Sequence, residues 1–317
     1  MKVSNSEIQT FKRCKRKWWF AYYRSLAPRR EETAGPRALG TRVHACVAEY
    51  YNPAVVGFET ARRANSLALH ERLIAEDVER CGDDQLRAAE VVKESDLSRA
   101  MLEGYFDWLE ESGADEGMTV VAPEQSVTHD LDVFGTPVTV MGKLDLRVRR
   151  LGAGDEEDMF LDHKTVMEFT TPTRTLHLDE QMKMYDWLCA KTTGHAPSGA
   201  IYNMIRKVKR TGNAKPPFYA RFEVKHSQSE MKSFEVRLRG VIGDMIQTRM
   251  MLDNGADPNG VAYPTPNRNC SWDCDFFPVC PLVDRADVGG GESLIETLYA
   301  VQDQYARYEE RELDGEV

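Results

Sequence analysis

Two runs decide how the chain is read: Phe134–Leu151, FGTPVTVMGKLDLRVRRL, and Asp158–Lys164, DMFLDHK. In the first, Val138, Val140, Leu144, Leu146 and Val148 alternate with Met141, Lys143, Asp145 and Arg147, the period of a strand with one buried face. Asp145 falls on the more polar face. In the second, Asp162 and Lys164 are two residues apart, so their side chains leave a strand on the same side. The Gly152–Asp158 segment supplies turn chemistry between the runs, and hairpin pairing would bring Asp145 beside Asp162. The preceding TVVAPEQSVTHDL, turned at Gly135-Thr136, reads as a further strand.

Two carboxylates held together repel, and a divalent cation with hard oxygen ligands relieves that repulsion. Such a cation polarises a scissile phosphate and lowers the pKa of bound water. A lysine on the same face orients that water or stabilises developing charge. The arrangement suits phosphodiester hydrolysis. The competing reading is a surface hairpin with ordinary charges, since a lone D-x-K is common.

Outward from the strands the chain is largely helical. Ser4 with Glu7 forms a capping-box pattern opening a helix to about residue 24, with Ile8, Phe11, Cys14, Trp18 and Tyr22 on one side. Leu39, Val43, Val47 and Tyr50 define a second amphipathic helix, with His44 at the edge of its apolar stripe. Charged helical stretches at 57–80 and 84–112 precede the strands. A helix over Asp179–Thr192, strands at 199–206 and 217–225, and a long helix to Leu252 follow. Then come a Pro- and Asn-rich loop at 257–268, a cysteine cluster, a Gly289–Gly291 hinge and an acidic C-terminal helix.

The chain has 317 residues, 42% hydrophobic and 29% charged, enough for one elaborated domain or two modest ones. No apolar run approaches the roughly 18 residues of a membrane span. The N-terminal MKVSNSEIQTFKRCKRKWW carries charge where a signal peptide needs its apolar core, so a cytoplasmic protein with no membrane partner is expected. The net charge of −10 argues against a general basic footprint, but basic residues cluster at Lys12–Lys17 and Arg206–Arg210. The first cluster is interleaved with aromatics. Trp19 and Tyr23, off the apolar side, are the candidates for stacking on unpaired bases, so single-stranded DNA or duplex ends are the expected substrate.

Of seven cysteines, Cys46, Cys81 and Cys189 lie in or beside helical patterns and read as ordinary core or surface residues. Cys270, Cys274 and Cys280 give C-x3-C-x5-C, three close thiolates without a partner histidine, a soft-metal site needing one distant ligand. Cys14 is the natural fourth. An iron–sulfur cluster and zinc both suit four cysteines. Zinc deamination is excluded: His44–Glu49, HACVAE, lacks the H-x-E and P-C-x-x-C spacings.

Gly142-Lys143-Leu144-Asp145, Asp162-His163-Lys164 and Gln181-x-x-x-Tyr185 resemble motifs II and III and the following helix of RecB-like PD-(D/E)XK nucleases. Gly40-Thr41-Arg42-Val43-His44 resembles that family's first motif. The likeness runs from Ser4 to Cys280 and is nearest to phage and CRISPR-associated single-strand exonucleases with an iron–sulfur cluster. Leu144 stands where the family name has a proline. The resemblance implies an α/β, restriction-endonuclease-like core: a central mixed sheet flanked by helices. The nuclease domain would cover 1–285, with a helical insertion at 53–115 and a cluster region at 253–285 with Cys14. An acidic helical tail would occupy 286–317. His44, Asp145, Asp162 and the His163 carbonyl would hold Mn2+ or Mg2+, and Lys164 would act on the attacking water. Gln181 and Tyr185 would steady Lys164 or a DNA phosphate. Cys14, Cys270, Cys274 and Cys280 would hold a [4Fe–4S] cluster. A homo-oligomer, or recombination or CRISPR proteins as partners, would fit the same family. The alternatives are a non-catalytic DNA-end adaptor on the same fold and a zinc-stapled interaction module.

Overall fold

A computed structural model of the chain describes residues 1–55, 59–152, 155–284 and 288–308. β1 (Lys2–Ser4) and α1 (Asn5–Arg13) come first, then α2 (Lys15–Trp18), a π turn (Trp19–Tyr23) and β2 (Leu26–Pro28). α3 (Pro36–Tyr50), α4 (Glu59–Arg80) and α5 (Gln85–Ser112) precede β3 (Met118–Val133), β4 (Thr136–Leu151) and β5 (Glu156–Val166). α6 (Thr170–Thr175), a 3-10 turn (Leu176–Leu178) and α7 (Glu180–Thr193) lead to β6 (Gly199–Arg206) and β7 (Tyr219–Val224). α8 (Gln228–Asp253), α9 (Pro258–Val261), α10 (Cys270–Asp273), α11 (Cys280–Asp284), α12 (Val288–Leu298) and β8 (Tyr299–Val301) follow.

The main sheet has the order β1-β4-β5-β6-β7, with β3 also on β4. β4 with β5 and β6 with β7 are antiparallel, while β1 with β4 and β5 with β6 are parallel, so the sheet is mixed. The parallel β5–β6 pair requires a crossover, which α6, the 3-10 turn and α7 supply. By internal packing the chain forms two units: Met1–Glu31, Ser126–Gly142 and Gln228–Val317 in one, Glu32–Gln125 and Lys143–Ser227 in the other.

The second unit is built on one apolar core. Leu39, Val43, Val47 and Tyr50 of α3 and Met101, Leu102, Tyr105 and Phe106 of α5 pack with Leu146, Val148, Met159, Leu161, Ile201 and Ile205 from one face of the sheet. Alternate residues of β5 therefore point into this core, and the intervening ones, Phe160, Asp162 and Lys164, point to the α7 side. Phe160 meets Tyr185 of α7 edge-on at 5.8 Å. A Cβ added at Gly40 of α3 would lie 3.3 Å from Thr165 Oγ1 of β5, so a residue without a side chain lets the helix pass close to the strand. Arg42 is buried and paired with Asp77 at 2.6 Å and Glu94 at 3.0 Å, and Glu94 also accepts from Gly35 N–H at 2.8 Å, which anchors the start of α3.

The first unit departs from sequence expectation in four places. The N-terminal helix breaks at Cys14, whose backbone is extended (φ −161°) and whose sulfur caps α2 instead of joining an apolar stripe. Ser4 does accept from Glu7 N–H at 3.3 Å, but Glu7 is fully buried and its carboxylate serves other partners. These are Trp18 Nε1 at 2.9 Å, Arg249 at 3.2 Å and the Tyr305 hydroxyl. Burial pushes the Glu7 carboxyl above its usual range despite those donors. Gly289–Gly291, expected to be a hinge, lies within α12. The expected helix after these glycines is present as the rest of α12, to Leu298, and a short strand follows it: β8 pairs antiparallel with β2, Tyr299 opposite Pro28, and the Tyr299 ring stacks on Phe276 at 5.0 Å. The part of the expected turn at Ala153 and Gly154, and the parts of the expected acidic tail at 286–287 and 309–317, lie outside the described residues.

The N-terminal aromatic and basic run is also used differently than expected. Trp19 is 9% exposed and covered by the Arg24 guanidinium at 5.2 Å, so it offers no face for stacking. The Tyr23 hydroxyl donates to Asp253 at 2.8 Å. Arg13 pairs with Asp273 at 2.6 Å, Lys17 with Asp275 at 3.6 Å, and buried Arg16 donates to Ala262 O at 2.9 Å and Asn259 at 2.7 Å. The cluster thus folds onto the segment that carries the C-terminal cysteines. In the second unit, the Arg210 guanidinium lies 3.9 Å above the Phe218 ring.

Candidate active site

The antiparallel β4–β5 ladder runs from Leu151–Glu156 to Leu146–Leu161 and stops there. The next pair in register is Asp145 opposite Asp162. Two carboxylates facing each other disfavour closure of the ladder, and the backbone bond is replaced by one from His163 N–H to Asp145 Oδ2, at 2.8 Å. On its other side β5 continues beside β6 as far as Val166–Arg206. A notch therefore forms at one position of the sheet, with the acid pair at its root.

Asp162 is 2% exposed and Asp145 18%, whereas Lys164 and His44 are about one-third open to solvent. His44, projecting from the edge of the α3 stripe, brings Nδ1 to 3.4 Å from Asp145 Oδ2. Burial, and then the charge of Asp162, push the Asp145 carboxyl well above its usual range. Burial lowers the His44 imidazole, keeping it neutral and able to donate a lone pair. Burial also works against the Lys164 ammonium, but the Asp162 carboxylate, 2.7 Å away, outweighs it and raises the lysine.

Gln181 binds the parts together. Asp179 caps α7 by accepting from Gln181 N–H at 2.8 Å, which fixes the first turn of the helix beside β5. The Gln181 side chain accepts from Lys164 Nζ at 2.8 Å and donates to Asp162 Oδ1 at 3.1 Å and the Tyr185 hydroxyl at 3.0 Å. All seven sequence-predicted residues, His44, Asp145, Asp162, His163, Lys164, Gln181 and Tyr185, meet here. His163 contributes only backbone, because its side chain turns to the opposite face.

That side chain exposes what local sequence reading missed. The buried His163 ring stacks on Tyr51 with planes 8° apart, and its Nδ1 accepts from Asn203 Nδ2 at 2.8 Å. Asn203 also donates to the Tyr105 hydroxyl at 2.9 Å and accepts from Arg221 Nε at 3.2 Å. Arg221 ends on Asp115 at 2.6 Å, and Tyr51 on the same carboxylate at 2.9 Å. This network fixes β5 from beneath the notch. Its one sequence signal is Arg221, a cation facing inward from the short strand YARFEV. Glu124 was missed too. Its charge acts on both His44 and Asp145, it pairs with Lys143 at 2.6 Å, and its backbone is left-handed (φ 51°), a conformation that costs a residue with a side chain about 1 kcal/mol or more.

The donor set of the notch, two carboxylates and a neutral imidazole, fits a hard divalent ion. Among the described residues, however, no three His, Cys, Asp or Glu side chains close on one point tightly enough to ligate a metal. The statement holds for the four cysteines as well. They are all free thiols in the first unit, and backbone N–H groups point at two of the sulfurs: Thr265 at Cys14 (3.4 Å) and Asn267 at Cys270 (3.4 Å). Burial pushes the Cys280 thiol up to about 11 and raises Cys274, and Cys14 lies close enough to act on both. Cys46, Cys81 and Cys189 are buried in the second unit.

Comparison with protein families matches residues 2–281 to the PD-(D/E)XK nuclease superfamily. The chain belongs to that superfamily: a nuclease fold whose members hydrolyse nucleic acid with divalent metals such as Mg2+ or Mn2+. No curated protein matches it. Among solved structures, "Crystal structure of SSO0001" is similar at 17% identity over 67% of this chain and 79% of that one. The TM-score of 0.32 is too low to establish a shared fold. Among the described residues no helix is long and apolar enough to cross a membrane.

Proposed function

We propose that the protein is a divalent-metal-dependent deoxyribonuclease that acts as an exonuclease on single-stranded DNA or DNA ends, with the notch as its active site. One observation carries the reading: the β4–β5 ladder stops where Asp145 meets Asp162, with Lys164 held against them by Gln181. Asp145, Asp162, the His163 carbonyl and His44 would hold Mn2+ or Mg2+, which when bound polarises the phosphate and acidifies water. Lys164, always protonated at neutral pH, donates to the phosphate oxygen on which charge builds. Gln181 keeps Lys164 on the acid side of the notch, and Tyr185 keeps Gln181 turned toward it. The network under His163 holds the backbone that would present the carbonyl. The preference for single strands or ends rests on the resemblance to phage and CRISPR-associated exonucleases. A [4Fe–4S] cluster on Cys14, Cys270, Cys274 and Cys280 completes the proposal, as a clip joining α2 to the C-terminal segment.

The test is nucleotide release from end-labelled single-stranded DNA by anaerobically purified protein with Mn2+, Mg2+ or EDTA, with iron and zinc measured on the same samples. Lys164→Ala is assayed in parallel and is expected to lose at least about a hundredfold in rate while binding DNA as before. DNA binding without cleavage by the iron-loaded wild type would refute the nuclease and favour the adaptor.

A further inference from the structure

A cavity of about 390 Å3 opens directly beside Lys164, on the same face of the sheet as Asp162. Its floor is β5 at Lys164 and β6 at Tyr202 and Met204; in register, Tyr202 lies beside Asp162 and Met204 beside Lys164. Its far wall is the crossover turn, with Leu176, Leu178 and the capping Asp179. Leu178 is left 62% exposed there. The lining is mostly apolar, and it includes the Asp179 carboxylate and the Tyr202 hydroxyl, a buried polar atom with no hydrogen-bond partner among the described residues. The volume is that of a small-molecule site, not of a packing gap.

We propose that this cavity receives the nucleobase and sugar of the nucleotide whose phosphate lies in the notch, so that the crossover turn senses whether a base is present. The inference rests on the nuclease reading above and adds a nucleoside subsite to it. Three features select this occupant. Asp162 and the cavity floor at Lys164 are one strand repeat apart, about 7 Å, the span from a nucleotide's phosphate to its base. The apolar walls suit the flat face of a base, which stacks without regard to sequence. Asp179 repels a second phosphate while accepting from a base amino group, so the neutral end of the nucleotide enters and the charged end stays at the notch.

The test uses single-stranded oligonucleotides with one tetrahydrofuran abasic residue, compared position by position with the intact strand in Mn2+. Wild type is expected to slow by about tenfold or more at the phosphodiester belonging to the abasic residue, and nowhere else. Leu178→Asp, at a largely exposed position and checked for an unchanged melting temperature, is expected to lose about tenfold on intact DNA. In that variant the gap between intact and abasic positions should close. A wild type that cleaves both positions equally overturns the subsite and leaves the nuclease standing. A Leu178→Asp protein with full activity and full discrimination overturns it as well. A wild type that cleaves no DNA refutes the nuclease reading, and the subsite falls with it.

Discussion

Asp145→Asn should make the metal-free protein more stable and destroy its response to metal. Asp145 and Asp162 are neighbours across the strands, where side chains lie about 5 Å apart. At an effective dielectric of about 20, two charges at that distance repel by about 3 kcal/mol. Lys164 offsets part of this through its 2.7 Å pair with Asp162. Asparagine keeps an oxygen to accept from His163 N–H, so the substitution removes charge without orphaning the donor. The net gain should be about 1–2 kcal/mol at pH 8, or about 2–3 °C in melting temperature for a chain of this length. The sign with pH follows from the raised Asp145 carboxyl. A folded-state pKa above the unfolded one means that wild-type stability falls as pH rises through that window. The advantage of the variant should therefore be greatest at pH 8, shrink as pH falls below the raised pKa, and vanish only below the ordinary carboxylate pKa of the unfolded chain, where Asp145 is protonated in both states. Differential scanning fluorimetry in EDTA measures it. A second series in Mn2+ at about a hundred times its dissociation constant should raise wild type by about 2.7 kcal/mol and the variant by much less. A variant that melts below wild type in EDTA, or keeps the full Mn2+ response, would refute the assignment of the notch.

Other outcomes follow from the same geometry. Asn203→Ala removes the bridge between His163, Tyr105 and Arg221 and should cost about 2 kcal/mol in urea unfolding. It should also weaken Mn2+ binding in calorimetry, although Asn203 reaches no reacting group. Wild-type Mn2+ affinity should fall as pH drops through the raised Asp145 pKa, because the ion competes with a proton; a pH-independent affinity would disprove competition at that carboxylate. Cys14→Ala should lower iron content and the melting temperature together. If iron, melting and DNA cleavage were all unchanged, the clip would be disproved.

Much of the second unit was legible because its chemistry is periodic. The strand alternation around Asp145, and the two-residue spacing of Asp162 and Lys164, fixed which side chains share a face before any pairing was known. The helices carrying Gln181, Tyr185 and His44 were legible for the same reason, since an apolar stripe survives in sequence. What stayed hidden depends on partners far along the chain. The break at Cys14 leaves no mark in an otherwise continuous helical stripe, and Trp19 is buried by a neighbour that periodicity does not register. β8 is a three-residue strand whose only reason to extend is β2, almost the whole chain away. Asn203 and Arg221 look like ordinary polar residues until Tyr105, Asp115 and His163 are brought to them.

The division of the chain has a consequence for biosynthesis. Everything in the unit that holds the acid pair, Glu32–Gln125 and Lys143–Ser227, has been translated before α8 begins, whereas the other unit starts at Met1 and draws on segments as late as β8. The unit with the cysteines therefore cannot close until β8 has left the ribosome, because Cys14 is made early and Cys280 late, and long-range closure comes last in folding. Its N-terminal segment waits with Phe11, Trp18 and Phe20 uncovered while the whole of the other unit is synthesised. That interval is when the nascent chain has most need of a chaperone.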